Sequence, residues 1–210
     1  MPLSRTAPNN FSTLNMQDMV DTFDLKKTNN ISFPKSIERI KIEPLILRQI
    51  NKFQNDIENW NETELSLKQL GLILASVDFD GLEYSSFAER NLNAKIDHYY
   101  LNGNVDFVVA KGKYEPRNPY FFIQEFKKAK NPSGDPLPQL LGEMLVAQEL
   151  NQNKLIYGTY IVGRFWYFIA MKGREFTELS PLDSTNLEDL EIILSHLNWV
   201  KEYIEIEVKK

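Results

Sequence analysis

A chain of 210 residues is long enough to bury the core of one domain, and 42% hydrophobic with 25% charged residues is ordinary for a globular protein. The absence of cysteine removes disulfides, thiolate zinc sites and a cysteine nucleophile together. A net charge of -5 and a pI near 5.2 count against a protein that coats nucleic acid nonspecifically, yet they leave room for a basic rim around an acidic metal cleft.

No apolar run approaches the ~20 residues needed to cross a bilayer. The opening MPLSRTAPNNFSTL also lacks the apolar centre of a signal peptide. The expectation is a soluble, unexported protein with no membrane partner.

Residues 1–34 have mixed polarity and read as an N-terminal arm, with one short helix predicted at Met16–Phe23. The stretch TNNISFP marks a break, and residues 35–210 are expected to form the main domain. Ile40, Leu45, Leu47, Ile50, Phe53, Ile57 and Trp60 recur at roughly helical spacing. Asn61 then reads as an N-cap, with Glu62 and Glu64 in the first turn where the helix dipole favours acids. Leu67, Leu70, Ile73, Leu74 and Val77 predict a buried stripe, and DFDGLEYSS a loop.

AKIDHYYL, residues 94–101, reads as a strand, and Asn102-Gly103 as a two-residue hairpin turn. Residues 105–110 and 120–126 supply two further strands, which completes an antiparallel meander. Asp135-Pro136 is an N-cap followed by proline at the first helical position, opening a helix to about Gln152. Strands at 155–162 and 164–171 are joined through Gly163, and a short strand follows at 175–179. An amphipathic helix over 186–202 should turn Leu187, Leu190, Ile193, Leu194, Leu197 and Val200 inward. The order predicts a mixed α/β (α+β) fold with a central mixed sheet flanked by helices.

Residues 104–130, NVDFVVAKGKYEPRNPYFFIQEFKKAK, place charge where strands should bury apolar side chains. Asp106 sits inside VDFVVA, and Glu125 and Lys127 sit inside FFIQEFK. Alternation along a strand puts Glu125 and Lys127 on one face. An unpaired buried charge costs several kcal/mol, so these three residues should have partners. Two carboxylates and an ammonium around Mg²⁺ or Mn²⁺ is one solution, since Mg²⁺ takes one or two protein carboxylates and keeps several waters. The bland alternative is an edge-strand ion pair between Glu125 and Lys127, with Asp106 accepting backbone hydrogen bonds.

VDF at 105–107, QEFK at 124–127 and the helix start DPLPQLLGEML resemble the PD-(D/E)XK nuclease superfamily. The closest likeness is to nuclease-like domains of type I restriction subunits and their standalone bacterial relatives, over residues 61–168. Valine rather than proline precedes Asp106, a common departure. The resemblance implies a restriction-endonuclease-like fold and hydrolysis of phosphodiesters, usually of DNA, in restriction, defence or repair in a bacterial cytoplasm. It implies Asp106 and Glu125 as metal ligands and Lys127 as the catalytic lysine. It also suggests a third acid from the first helix, Glu64 or Glu62, and a helical glutamine, Gln139, which shares a face with Glu143.

Lys111, Lys113, Arg117, Lys128 and Lys130 are weaker candidates for phosphate contacts, since loop charges are most often solvated. RFWYF at 164–168 could stack bases but reads better as a core strand. His98 and His196 are too few for a triad or a histidine-rich metal site, and no glycine-rich phosphate loop is present. Partners implied are nucleic acid, a second copy of the chain, or restriction-modification subunits. Two other readings remain open at this stage: an inactive binding or assembly module on the same fold, and a hydrolase of small phosphorylated molecules.

Overall fold

A computed structural model describes residues 3–31, 33, 40–129, 134–152 and 154–209. Within them a short strand β1 (Asn9–Asn10) leads to helix α1 (Met16–Phe23) and strand β2 (Lys26–Lys27). Helix α1 matches its sequence prediction and is capped by Asn15, whose side chain accepts the Asp18 N–H. Helices α2 (Pro44–Phe53) and α3 (Glu62–Leu65) follow, then a π-helical turn (Ser66–Leu70) and α4 (Gly71–Val77). The sheet and its crossover come next: β3 (Tyr84–Ile96), β4 (Tyr99–Lys111), β5 (Arg117–Lys127) and α5 (Pro136–Leu150). The chain closes with β6 (Ile156–Val162), β7 (Phe165–Lys172), β8 (Glu175–Glu178), β9 (Leu182–Asp183) and α6 (Leu187–Val208).

These strands form one mixed nine-stranded sheet flanked by helices, the predicted fold class. Strand order along its main path is β1-β4-β5-β6-β7-β8-β2, with β3 paired to β4 and β9 to β7. The β3–β4–β5 meander is antiparallel, β5 and β6 run parallel across the α5 crossover, and β6, β7 and β8 are antiparallel again. Both β1 and β2 pair in parallel, with β4 and β8 respectively. The N-terminal segment is thereby stitched to the sheet, and Phe11, Leu14, Met19, Phe23 and Leu25 are buried beneath it. The sequence boundary at 34–35 lies outside the described residues.

Two apolar layers lie on the two faces of the sheet. One packs α5 and the N-terminal segment against Leu101, Val108, Ile123, Ile156 and Ile169. The other packs α4 and α6 against Phe122, Tyr157, Trp166 and Phe168. Gly158 allows α5 to lie close: a Cβ there would stand 2.9 Å from the Ile123 carbonyl and 3.1 Å from Met144 Sδ. Asp135 caps α5 by accepting the Leu137 N–H, as its sequence foretold.

Three local expectations are corrected. The β3–β4 hairpin turns at Asp97-His98, with Asp97 in the left-handed region (φ 53), and not at Asn102-Gly103. Gly103 instead pairs with Leu92 inside the ladder and gives room to Phe11, whose ring a Cβ would meet at 2.6 Å. Leu67, expected inward, is 74% exposed because the π-helical turn shifts the helical register beneath it. Leu187 is half exposed at the first position of α6, before the helix has met the sheet. Among the described residues no helix is long and apolar enough to cross a membrane.

Candidate active site

The site forms where β4 loses a neighbour. Along one edge β4 pairs with β1 at Leu101 and Asn102, and with β5 only from Phe107 onward. Asp106 stands in the gap, at the point where β5 leaves the ladder. Its Oδ2 accepts the Phe126 N–H at 3.0 Å and so replaces a ladder bond with a side chain. Across the other edge the ladder skips Asp106 and Glu89, the latter held in the left-handed region (φ 53), between the pairs Ala88–Phe107 and Arg90–Val105.

Strand β5 carries Glu125 and Lys127 to the same face, as alternation requires. Glu125 is fully buried, and Lys127 Nζ lies 2.5 Å from its Oε1. That contact is close in distance but not aligned as a hydrogen bond, and neither Glu125 oxygen receives an ordinary one. The chain therefore brings together Asp106, Glu125 and Lys127, as read from sequence.

Helix α5 adds a residue that the sequence placed on the right face without assigning it a role. Glu143 is fully buried, four positions after Gln139, whose Nε2 donates to Glu143 Oε1 at 3.4 Å. Its Oε2 has no hydrogen-bond partner among the described residues. An acid in the otherwise apolar run LLGEMLVA was the available signal. What sequence could not give is how near the crossover sets α5 to β5.

The electrostatics follow from shared burial. Desolvation, then the Asp106 charge, push the Glu125 carboxyl up from 4.5 to about 8, against the pull of Lys127. Asp106 is also raised by burial, while the Phe126 N–H and Lys127 draw it down. The two carboxyls act on each other, and Glu125, the more deeply buried, is the one raised further. Glu143 is raised well above its ordinary range by burial and by the charges of Glu125 and Asp106. Burial would lower Lys127, but Glu125, Asp106 and, more weakly, Glu62 outweigh it and hold the ammonium charged.

The remaining sequence candidates are dispersed. Glu64 closes a capping box with Asn61 and pairs with Lys68 Nζ at 2.9 Å, a local helical role. Its neighbour Glu62 is the first-helix acid whose charge reaches Lys127. Lys111 lies 3.6 Å from Glu83, Lys113 donates to the Gly81 carbonyl, and Arg117 is exposed at the start of β5. Arg117 is eight residues before Glu125, ~26 Å along an extended strand. Lys128 is half-buried directly after Lys127, and Lys130 lies outside the described residues.

A divalent cation can be tested against these groups. Among the described residues, no three His, Cys, Asp or Glu side chains stand as a ready-made ligand set. The chemistry of the donors nevertheless suits a hard ion. Burial and the Asp106 charge raise the Glu125 carboxyl, so an ion bound there would displace its proton, and the buried Glu143 Oε2 has no hydrogen-bond partner among the described residues. A scan against protein-family models finds no match, and a search of curated proteins finds none.

Proposed function

We propose that the protein is a divalent-metal-dependent nuclease of the PD-(D/E)XK type, hydrolysing phosphodiester bonds of DNA. The observation that carries this reading is the convergence of Asp106, Glu125 and Lys127 at the gap beside β4, where Lys127 Nζ lies 2.5 Å from the fully buried Glu125 carboxyl, which burial and then Asp106 push up. Asp106 and Glu125 would hold Mg²⁺ or Mn²⁺. The ion would supply a more acidic water and draw charge from a phosphoryl oxygen.

The protein's own groups do the rest. Lys127, kept protonated by its acidic neighbours, offsets negative charge that builds on the phosphate as water attacks. Gln139 orients Glu143 through their hydrogen bond, and Glu143 keeps its proton and so adds no second repulsive charge. In the hydrolysis a bond forms from water oxygen to phosphorus. The attacking water gives up a proton to solvent, the bond from phosphorus to the leaving sugar oxygen breaks, and that oxygen takes a proton back from solvent.

Purified protein with Mg²⁺ or Mn²⁺ should cleave DNA, and Glu125→Ala and Lys127→Ala should each reduce the rate by at least about a hundredfold. Cleavage that survives both substitutions overturns these roles. The full burial of Glu125 and the near-burial of Lys127 favour one second reading, an inactive module whose charges only hold the sheet together. Calorimetric Mn²⁺ titration separates the two: the nuclease binds the ion at a site lost in Asp106→Ala, and the module does not bind it.

A further inference from the structure

We infer that the turn between β6 and β7 carries a subsite for one unpaired nucleobase, with Phe165 as its stacking platform; this rests on the nuclease reading above. Register places Lys127 opposite Val162 on β6, and Val162 opposite Phe165 on β7. Cross-strand partners share a sheet face, so Lys127, Val162 and Phe165 form a row on the same face as the carboxylates. Two strand spacings put Phe165 ~10 Å from the catalytic lysine. The turn is tied to β5 directly, because Gly163 N–H donates to the Lys127 carbonyl at 2.9 Å and Gly163 packs on Ala129.

A hollow of about 250 Å³ opens at this place, lined by Glu58, Ala129, Val162, Arg164 and Phe165. It is smaller than the ~300–1,000 Å³ of sites for drug-sized ligands, which suits a single planar ring system. The run RFWYF divides here. Trp166 and Phe168 are fully buried in the opposite core, while Phe165 is 37% exposed on the site face. The Arg164 guanidinium lies 5.0 Å from the Phe165 ring centre and is balanced by Asp183, 3.3 Å from its Nε. With Arg164 paired to Asp183 and Glu58 also in the lining, the hollow disfavours a phosphate and suits a neutral ring. An aromatic platform in line with the reacting group is what a base next to the scissile phosphate requires.

The test is binding of dye-labelled single-stranded DNA to the full chain at low salt, in chelator and again in Ca²⁺. One oligonucleotide carries bases throughout and another carries a run of abasic sugars. Wild type should bind the first about tenfold more tightly, Phe165→Ala should erase the difference, and Phe165→Trp should keep it. Equal binding of the two strands by wild type, or discrimination unchanged in Phe165→Ala, overturns the subsite. If wild type cleaves DNA without discriminating, the subsite alone falls. If it neither binds nor cleaves any DNA, the nuclease reading falls and takes the subsite with it.

Discussion

The two faces of β5 bury polar groups in opposite ways. Toward α5 stand Glu125 and Lys127; toward α6 stand Gln124 and Phe126. Gln124 is fully buried, and among the described residues neither its amide oxygen nor its nitrogen has a hydrogen-bond partner; the same holds for the Thr159 hydroxyl beside it on β6. A neutral polar group left without a partner costs ~1–3 kcal/mol, an amount that buried water commonly recovers. Carboxylates in the same position cost more, and here they respond by keeping protons. The polar back face costs hydrogen bonds that water can restore, whereas the front face buries charge that costs more and shows itself in shifted carboxyls.

Acid–base behaviour should separate the faces most strongly. Glu125 titrates near 4.5 when unfolded and about 8 when folded, so between those values the folded state binds more protons. Stability of the metal-free protein therefore falls as pH rises from about 4.5 to about 8. On the back face, His196 packs on Phe168 and burial lowers it from 6.5 to about 4. There the unfolded chain binds the extra proton, and stability falls as pH drops from 6.5 toward 4. Urea denaturation in chelator should show both limbs. Glu125→Gln should flatten the alkaline limb by roughly a few kcal/mol, and His196→Phe should flatten only the acid one. An alkaline limb unchanged in Glu125→Gln would mean that Glu125 is ionised at neutral pH and the front face is not strained.

A smaller effect is expected from the neutral pair. Gln124→Leu with Thr159→Val removes both sets of unpartnered atoms while keeping shape, and should leave stability unchanged or raise it by ~1 kcal/mol. Each single variant should lose no DNA cleavage, since both side chains point away from Asp106. A loss of several kcal/mol in the double variant would show a polar network on the back face as tightly satisfied as any core hydrogen bond.

Asp106, Glu125 and Lys127 were legible because strand alternation is a strict local rule and charge inside apolar runs breaks composition visibly. The caps at Asn61 and Asp135 were legible because each is satisfied locally, within three residues. Misreadings arose where distant packing decided. Asn102-Gly103 has ideal turn chemistry, but Phe11 arrives from the N-terminal segment and needs Gly103 inside the ladder. Leu67 fits a 3.6-residue period that a π-helical turn interrupts. That Glu143 feels Asp106 and Glu125 depends on the closeness of α5 to the sheet, and that Phe165 aligns with Lys127 depends on pairing across β6, neither of which a local pattern carries.

The least of these effects discriminates between two neighbouring acids. Glu62 and Glu64 lie two positions apart on α3, which points them to different sides of the helix. Glu64 receives the Asn61 N–H and the Lys68 ammonium, and the lysine, followed by the Asn61 backbone, lowers its carboxyl. Glu64→Ala should therefore remove a helix cap, lowering Tm by on the order of 2 °C, and leave Mn²⁺ affinity unchanged. Glu62→Gln removes a charge felt at Lys127 and should shift the pH profile of cleavage while leaving the cap intact. If Mn²⁺ affinity instead falls in Glu64→Ala and is untouched in Glu62→Gln, α3 must rotate when the ion binds, carrying Glu64 away from Lys68 and toward Asp106.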